Sequence, residues 1–334
     1  MRYIDDDLTD KKILITGGAG FIGSNLAFYF QNNHPNAKVT VLDIFRSEET
    51  FSNGNLKSFG HFKNLLGFKG EVRQGDINDK VLIETLKGEG YDTIFHEAAI
   101  SDTTVLDQAI MIETNVNAFK ALLDVAQCTD AVMIYASSAA TYGNAPSPQT
   151  VGKEAPENVY GFSKLMMDNI AYEQMKNYPK SSIIGLRYFN VYGAHEYFKN
   201  STASMILQFG LQIMKGNAPR LFEGSDKILR DFIYIEDVVQ ANVKAMVSGE
   251  SGVYNVGTGA PRSFQDIADS LQKELDVDYG NEYIKNPYTA YQTFTQADIT
   301  STKEKLGYEP AFTLELGIAS YIEEIKRIYE SEVK

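Results

Sequence analysis

The chain is predicted to adopt an α/β fold, a doubly wound parallel sheet with helices on both faces, on three observations. Short β-branched runs alternate with longer amphipathic runs through the first half. The runs read as near-continuous apolar stretches rather than alternating ones, as strands buried on both faces do. A glycine cluster separates the first such run from the first helical pattern.

Taken in order, KKILITG is a strand candidate, and FIGSNLAFYFQ, with apolar residues at helical spacing, is the helix after it. KVTVLD, EVRQGDI, YDTIFHEAA and AVMIYASS are further buried strands, with helical segments such as NVNAFKALLDVAQ between some of them. Residues 44–70 break the rhythm with RSEETFSNGNLKSFGHFKNLLG, a long polar stretch expected to be a surface excursion. After residue 193 the texture changes. A helix candidate, SMILQFGLQIMKG, precedes APRLFEGSDK; strand–helix material returns as DFIYIEDVVQANVKAMV and GVYNVG; the tail carries SFQDIADSLQKEL, NEYI and a last helix. The expected division is a Rossmann-type dinucleotide domain, residues 1–193 with 230–260, and a smaller, discontinuous α/β substrate domain, residues 194–229 with 261–334. No Pro/Gly/Ser-rich linker separates them, so close packing is expected.

Composition narrows the class. With 334 residues, 43% hydrophobic and 22% charged, the chain has ordinary globular make-up. No apolar run approaches membrane-spanning length, and MRYIDDDLTDKK is unlike a signal peptide. Cys128 is the single cysteine, which forbids an internal disulfide and is compatible with a reducing, cytoplasmic setting. The four histidines lack metal-ligand spacing, so no metal is expected. A net charge of −13 argues against nucleic-acid binding, and means that an anionic substrate needs a locally positive pocket.

TGGAGFIGS, residues 16–24, fits Gly18-x-Gly20-x-x-Gly23, with Gly17 just before it. Small residues let the backbone turn tightly and approach a pyrophosphate resting on N–H groups at a helix N-terminus. A lone glycine pattern is weak, but here strand, glycines, helix and an acidic residue at the next strand end agree. Asp43, twenty residues after Gly23, is placed for the adenosine ribose. Asp43 alone favours NAD, because a 2′-phosphate beside a carboxylate is repelled. Arg46, Lys57 or Lys63 could offset that repulsion, and each reads equally well as a solvated loop charge. On chemistry alone the choice stays open.

Ser138 closes the run AVMIYASS at what becomes a strand's carboxyl end, where open α/β sheets bind ligands. Tyr160 and Lys164 stand one helical turn apart in NVYGFSK. Alone, these read as a satisfied hydroxyl and a solvated surface pair. Together, and behind a glycine loop, they read as acid/base apparatus. Oxidising a carbinol needs a base for the hydroxyl proton while hydride leaves carbon. A tyrosine of pKa ~10 must come down by ~4 kcal/mol, which a unit charge ~4 Å away at an effective dielectric of ~20 supplies. Lys164 and a cationic nicotinamide are the charges available, and Lys164 could also hold the nicotinamide ribose.

This set resembles the extended short-chain dehydrogenase/reductase (NAD-dependent epimerase/dehydratase) superfamily over nearly the whole chain. Its 4,6-dehydratases carry Thr-Asp-Glu where this chain has Ser138-Ala139-Ala140, so elimination is disfavoured. HEAAISDTT, RYFNVYGAHEYFKNSTASM, LFEGSDKILRDFIYIEDV and AYQTFTQAD closely resemble the ADP-L-glycero-D-manno-heptose 6-epimerase family. That resemblance implies a homo-oligomer, with a pentamer as one form, and epimerisation at C6 through a 6-keto intermediate with NADP, in lipopolysaccharide precursor synthesis. It makes Lys199, in YFKNS, a second acid/base beside Tyr160, with Ser138 assisting. It places the cofactor on Gly17, Gly20, Phe21, Ile22, Gly23, Asp43, Ile44, Arg46, Asp76, Ile77, Glu97, Ala98, Ala99, Asn115, Tyr160 and Lys164. It places the ADP-heptose on Ser138, Asn190, Lys199, Ser201, Gln208, Phe222, Glu223, Gly224, Ser225, Arg230 and Tyr291. Ile44 departs from an expected Asn and Gln208 from an expected His. Two rivals stand beside this reading: another nucleotide-sugar epimerase or reductase, and a catalytically silent nucleotide-binding protein.

Overall fold

A computed structural model describes residues 1–286 and 293–334. Seven strands form one parallel sheet: β1 (Lys12–Thr16), β2 (Lys38–Asp43), β3 (Glu71–Gln74), β4 (Thr93–His96), β5 (Val132–Ser138), β6 (Ile183–Tyr188) and β7 (Gly252–Val256). Their spatial order is β3-β2-β1-β4-β5-β6-β7, so the chain winds one way from β1 and the other way from β4. A crevice opens at the carboxyl ends of β1 and β4, the switch point where doubly wound sheets bind ligands.

Alternation within each strand divides the core between the two faces. Ile13 and Ile15 of β1 pack with Leu26 and Phe30 of α1 (Phe21–Asn33) and with the later helix Ile235–Val247. Leu14, from the same strand, packs on the opposite face with residues of α2 (Lys80–Lys87), α3 (Ala118–Thr129) and α4 (Val159–Asn177). A strand without a polar side is the expected product of this double burial.

Between β6 and β7, and again after β7, the chain leaves the sheet. Helices α5 (Met205–Met214), α7 (Phe264–Glu274) and α8 (Leu314–Ile328) bury Ile206, Phe209, Leu271, Ile318 and Ile325; α6 is Ile235–Val247. Ser263 and Asp266 close a reciprocal capping box at the start of α7. Short pairings tie these pieces to the sheet's carboxyl side: Asn190–Tyr192 with Phe232–Tyr234, Leu229–Arg230 with Arg262–Ser263, and Arg220–Phe222 with Glu282–Ile284. Apolar packing is continuous from α1 to α8, which accounts for the missing linker.

The 44–70 segment runs mostly exposed over the surface, as expected, but is anchored at a few points. Phe51, Asn64 and Leu65 are buried, and a short helical turn spans Phe62–Leu65. Apolar residues within the polar stretch turn it inward over the crevice.

Candidate active site

The glycine turn is built for close backbone approach. Gly17 has φ +67°, and a Cβ there would lie 2.6 Å from the Ala98 nitrogen; at Gly23 it would lie 2.4 Å from the Gly17 carbonyl oxygen. Gly20 caps α1 and no side chain bonds to its first N–H groups, which are left for an anion. The Asp43 carboxylate, at the end of β2, accepts the Ala19 N–H at 2.9 Å and the Phe45 N–H at 2.8 Å. It is 6% exposed and burial raises its pKa, with the two N–H bonds opposing.

The crevice encloses about 870 Å³. It gathers Gly17, Gly20, Phe21, Ile22, Gly23, Asp43, Ile44, Asp76, Ile77, Glu97, Ala98 and Ala99 from the expected cofactor set, and Ser138, Tyr160, Lys164, Asn190, Lys199 and Arg230 from the expected chemical and substrate sets. Its glycine cradle, bare helix N-terminus and acidic residue at the β2 end fit a nicotinamide dinucleotide.

Other expected residues do not line it. Asn115 is fully buried: its side chain accepts the Ile100 N–H at 2.8 Å and donates to the Ile100 carbonyl and the Ser163 hydroxyl, both at 3.0 Å. The Arg46 guanidinium turns to the Phe198 carbonyl, and its Nε finds no partner among the described residues. Ser201 donates to the Asn55 side chain, and Gln208 to the carbonyls of Ser201 and Ala203. Gln208 thus braces the backbone next to Lys199. Phe222, Glu223, Gly224 and Ser225 lie on the short strand Arg220–Phe222 and the turn after it, with Gly224 at φ +77°. Tyr291 lies outside the described residues.

Tyr160 and Lys164 share one face of α4 because Asn158 starts that helix, its side chain accepting the Gly161 N–H at 2.7 Å. The Lys164 ammonium lies 5.9 Å from the Tyr160 ring centroid and donates to the Ala136 carbonyl at 2.7 Å. Burial brings Lys164 down to about 8, with Glu97 and Asp168 pulling the other way. The Tyr160 phenol is raised, first by burial; the Ser138 hydroxyl lowers it by hydrogen bonding and the Glu97 charge raises it. The protein's own groups therefore hold Tyr160 above its ordinary range, and the expected descent calls on the cationic nicotinamide as well as Lys164.

Glu97 adds a feature that the sequence did not signal. Its Oε1 accepts the Tyr188 hydroxyl at 2.9 Å, while Oε2 is buried with no partner among the described residues. Burial pushes the carboxyl up to about 7, against the smaller effects of Tyr188 and Lys164. Tyr188, at the end of β6, also bonds to Asn242. Sequence reading missed Tyr188 because a strand-end tyrosine carries no distinguishing spacing.

Lys199 enters from the turn Tyr197–Thr202, its ammonium 5.3 Å from the Phe21 ring. Burial lowers its pKa and Glu196 partly offsets that. Glu196 is itself buried, accepting the Gly193 N–H at 3.1 Å, the Ser204 N–H at 2.6 Å and the Ser204 hydroxyl at 2.7 Å.

Residues 13–257 match the family model described as NAD dependent epimerase/dehydratase family. The chain belongs to that family. Among solved structures, this epimerase-family chain is similar to Helicobacter pylori ADP-L-glycero-D-manno-heptose-6-epimerase, at 51% identity over 98% of this chain and 99% of that one, with a TM-score of 0.89. It is similar at greater distance to Thermotoga maritima UDP-glucose 4-epimerase, at 26% identity over 95% and 99% of the two chains, TM-score 0.84. Bacillus anthracis dTDP-glucose 4,6-dehydratase, at 22% identity over 96% and 98%, TM-score 0.80, shares the fold. Among the described residues of this family member, no helix is long and apolar enough to cross a membrane.

Proposed function

We propose that this chain epimerises ADP-D-glycero-D-manno-heptose at C6 to the L-glycero form, within lipopolysaccharide core precursor synthesis. The observation that carries the reading is Lys199 in the same crevice as Ser138, Tyr160 and Lys164, in a chain 51% identical to a heptose epimerase. Ser138-Ala139-Ala140 at the end of β5 offers no carboxylate for dehydration, which disfavours that branch of the family.

A bound nicotinamide supplies the acceptor and donor of hydride. The chain's residues handle the proton and the geometry. Tyr160 takes the C6 hydroxyl proton in one substrate orientation and Lys199 in the other, with Ser138 hydrogen-bonded at the reacting oxygen. The carbinol loses one hydride from carbon and one proton from oxygen, and regains both after the 6-keto sugar turns, so no external oxidant or reductant is consumed. Lys164 fixes the nicotinamide ribose. Arg230, which is buried on the short strand Leu229–Arg230, pairs with the substrate pyrophosphate. Residues 1–193 with 230–260 carry the cofactor, and 194–229 with 261–334 the sugar.

NADP is the cofactor we infer, with NAD as the alternative. The support is the family resemblance, since the Arg46 guanidinium is turned to the Phe198 carbonyl. Lys57 and Lys63 are already paired with Glu49 and Glu332. The mass of nucleotide released from purified protein decides between the two.

Incubation with ADP-D-glycero-D-manno-heptose, without added reductant, is expected to give a mixture of both C6 epimers. No conversion, alongside turnover of a UDP- or GDP-sugar, sinks the heptose assignment. Lys199→Met is expected to retain nucleotide and lose epimerisation; wild-type turnover would remove Lys199 from the mechanism.

A further inference from the structure

Lys199 has a long, flexible side chain whose ordering costs rotamer entropy, so a proton carrier of this type needs a fixed backbone beneath it. Its own turn does not supply one by regular helix geometry. Asn200 sits at φ +53°, ψ −124°, inside Tyr197–Thr202, and His195 at φ +73° precedes it. Support comes instead from the 44–70 segment. The His61 and Phe198 rings stack face to face, centroids 3.6 Å apart and planes 6° from parallel. The Arg46 guanidinium lies 5.7 Å from the Phe198 centroid and donates to the Phe198 carbonyl. Beyond Lys199, Ser201 donates to the Asn55 side chain at 3.1 Å. Burial, Arg46 and Lys63 lower the His61 pKa, with Glu332 opposing, so a neutral imidazole stacks without repelling Arg46.

The same segment runs against the ribose end of the crevice. A Cβ on Gly60 would lie 2.1 Å from an Asp43 carboxylate oxygen, so the backbone passes directly over that carboxylate. One strap thus touches both the adenosine end of the cofactor cleft and both sides of Lys199.

We propose that Phe198, gripped between His61 and Arg46, is a positioning residue that sets Lys199 at the substrate, so that the 44–70 strap completes the second acid/base of the epimerase. This rests on the assignment of Lys199 above. If Tyr160 serves one epimer and Lys199 the other, loosening the grip harms one direction of oxidation and spares its mirror.

The test is single-turnover formation of the 6-keto sugar from each C6 epimer separately, followed by absorbance of the reduced nicotinamide. Phe198→Ala and His61→Ala are expected to slow one epimer about a hundredfold while the other stays near wild type; Phe198→Tyr, which keeps the ring, restores the lost direction. Equal slowing of both epimers, or of neither, overturns the proposal. Amide hydrogen exchange over residues 196–202 gives a second readout without turnover. Both variants are expected to exchange faster there, and unchanged exchange overturns the grip even where the wild type proves inactive on heptose. Inactivity of the wild type with faster exchange in the variants removes the substrate reading alone and sustains the strap.

Discussion

The Lys164 ammonium donates to the Ala136 carbonyl at 2.7 Å, which pins it at the carboxyl end of β5, 5.9 Å from the Tyr160 ring. A buried lysine so held presents its remaining protons in fixed directions. Lys164→Met leaves that carbonyl without its donor and removes the proposed ribose contact. Purified variant is expected to carry less nucleotide and to turn over at least about a hundredfold more slowly. Nucleotide content after denaturation and a rate assay check the two effects separately.

Ser138 is the protein group that lowers the Tyr160 phenol, against burial and Glu97, which raise it. Ser138→Ala removes the lowering effect, so the phenol's pKa rises further. The limb of the pH–rate profile that reports loss of the phenol proton is expected to move to higher pH, with a lower rate at neutrality. A profile superimposable on the wild type would exclude Ser138 from this role.

Glu97 titrates near 7 when folded and at 4.5 unperturbed. Its folded value is raised, so its contribution to stability is full below the unfolded value and is lost as pH rises through about 7. The shift amounts to on the order of 3 kcal/mol. Wild-type Tm is therefore expected to decline between about pH 5 and 8, and Glu97→Gln to flatten that decline. Parallel Tm curves for the two proteins would show that Glu97 is not the titrating group.

Arg230→Lys keeps the charge and loses the planar fork that matches a pyrophosphate. The expected outcome is a KM for the nucleotide sugar raised about tenfold or more, with kcat less affected, since the contact is equal in ground and transition states. Steady-state kinetics on both epimers measure it.

Arg187 and Asp168 form a fully buried pair at 2.8 Å, and Asp168 also accepts the Tyr135 and Ser137 hydroxyls. Removing one partner of such a pair costs about 3–5 kcal/mol. Glu154 still pairs with Arg187, so Asp168→Ala is expected at the lower end of that range in urea unfolding.

The parts legible in the sequence are those whose signal is local. The glycine turn, the Asn158 cap and the one-turn spacing of Tyr160 and Lys164 each sit within a few residues, where periodicity and capping rules apply. Strands β1, β2, β4 and β5 read clearly because burial writes an apolar run, whereas β3, expected to be buried, is a largely exposed edge strand. The grip on Phe198 was not legible, because it joins Arg46 to a residue 152 positions away. The bonds of Asn115 to Ile100 and Ser163 were not legible either, since nothing in its neighbours announces that those residues will meet it. The raised carboxyl of Glu97 comes from burial, against the opposing effects of Tyr188 and Lys164, and its surroundings come from β6 and α4, far away in the chain.

The sheet's last strand, β7, joins β6 only after residues 189–251 have followed it. During synthesis β6 therefore waits as an unpaired edge while those residues emerge, and that edge is a template for mispairing with other chains. The ribosome finishes the nucleotide-binding sheet late. A chain shortened before Gly252 would keep the glycine turn, Tyr160 and Lys199 and still leave β6 uncovered, so aggregation rather than weak activity is the outcome such truncations should show.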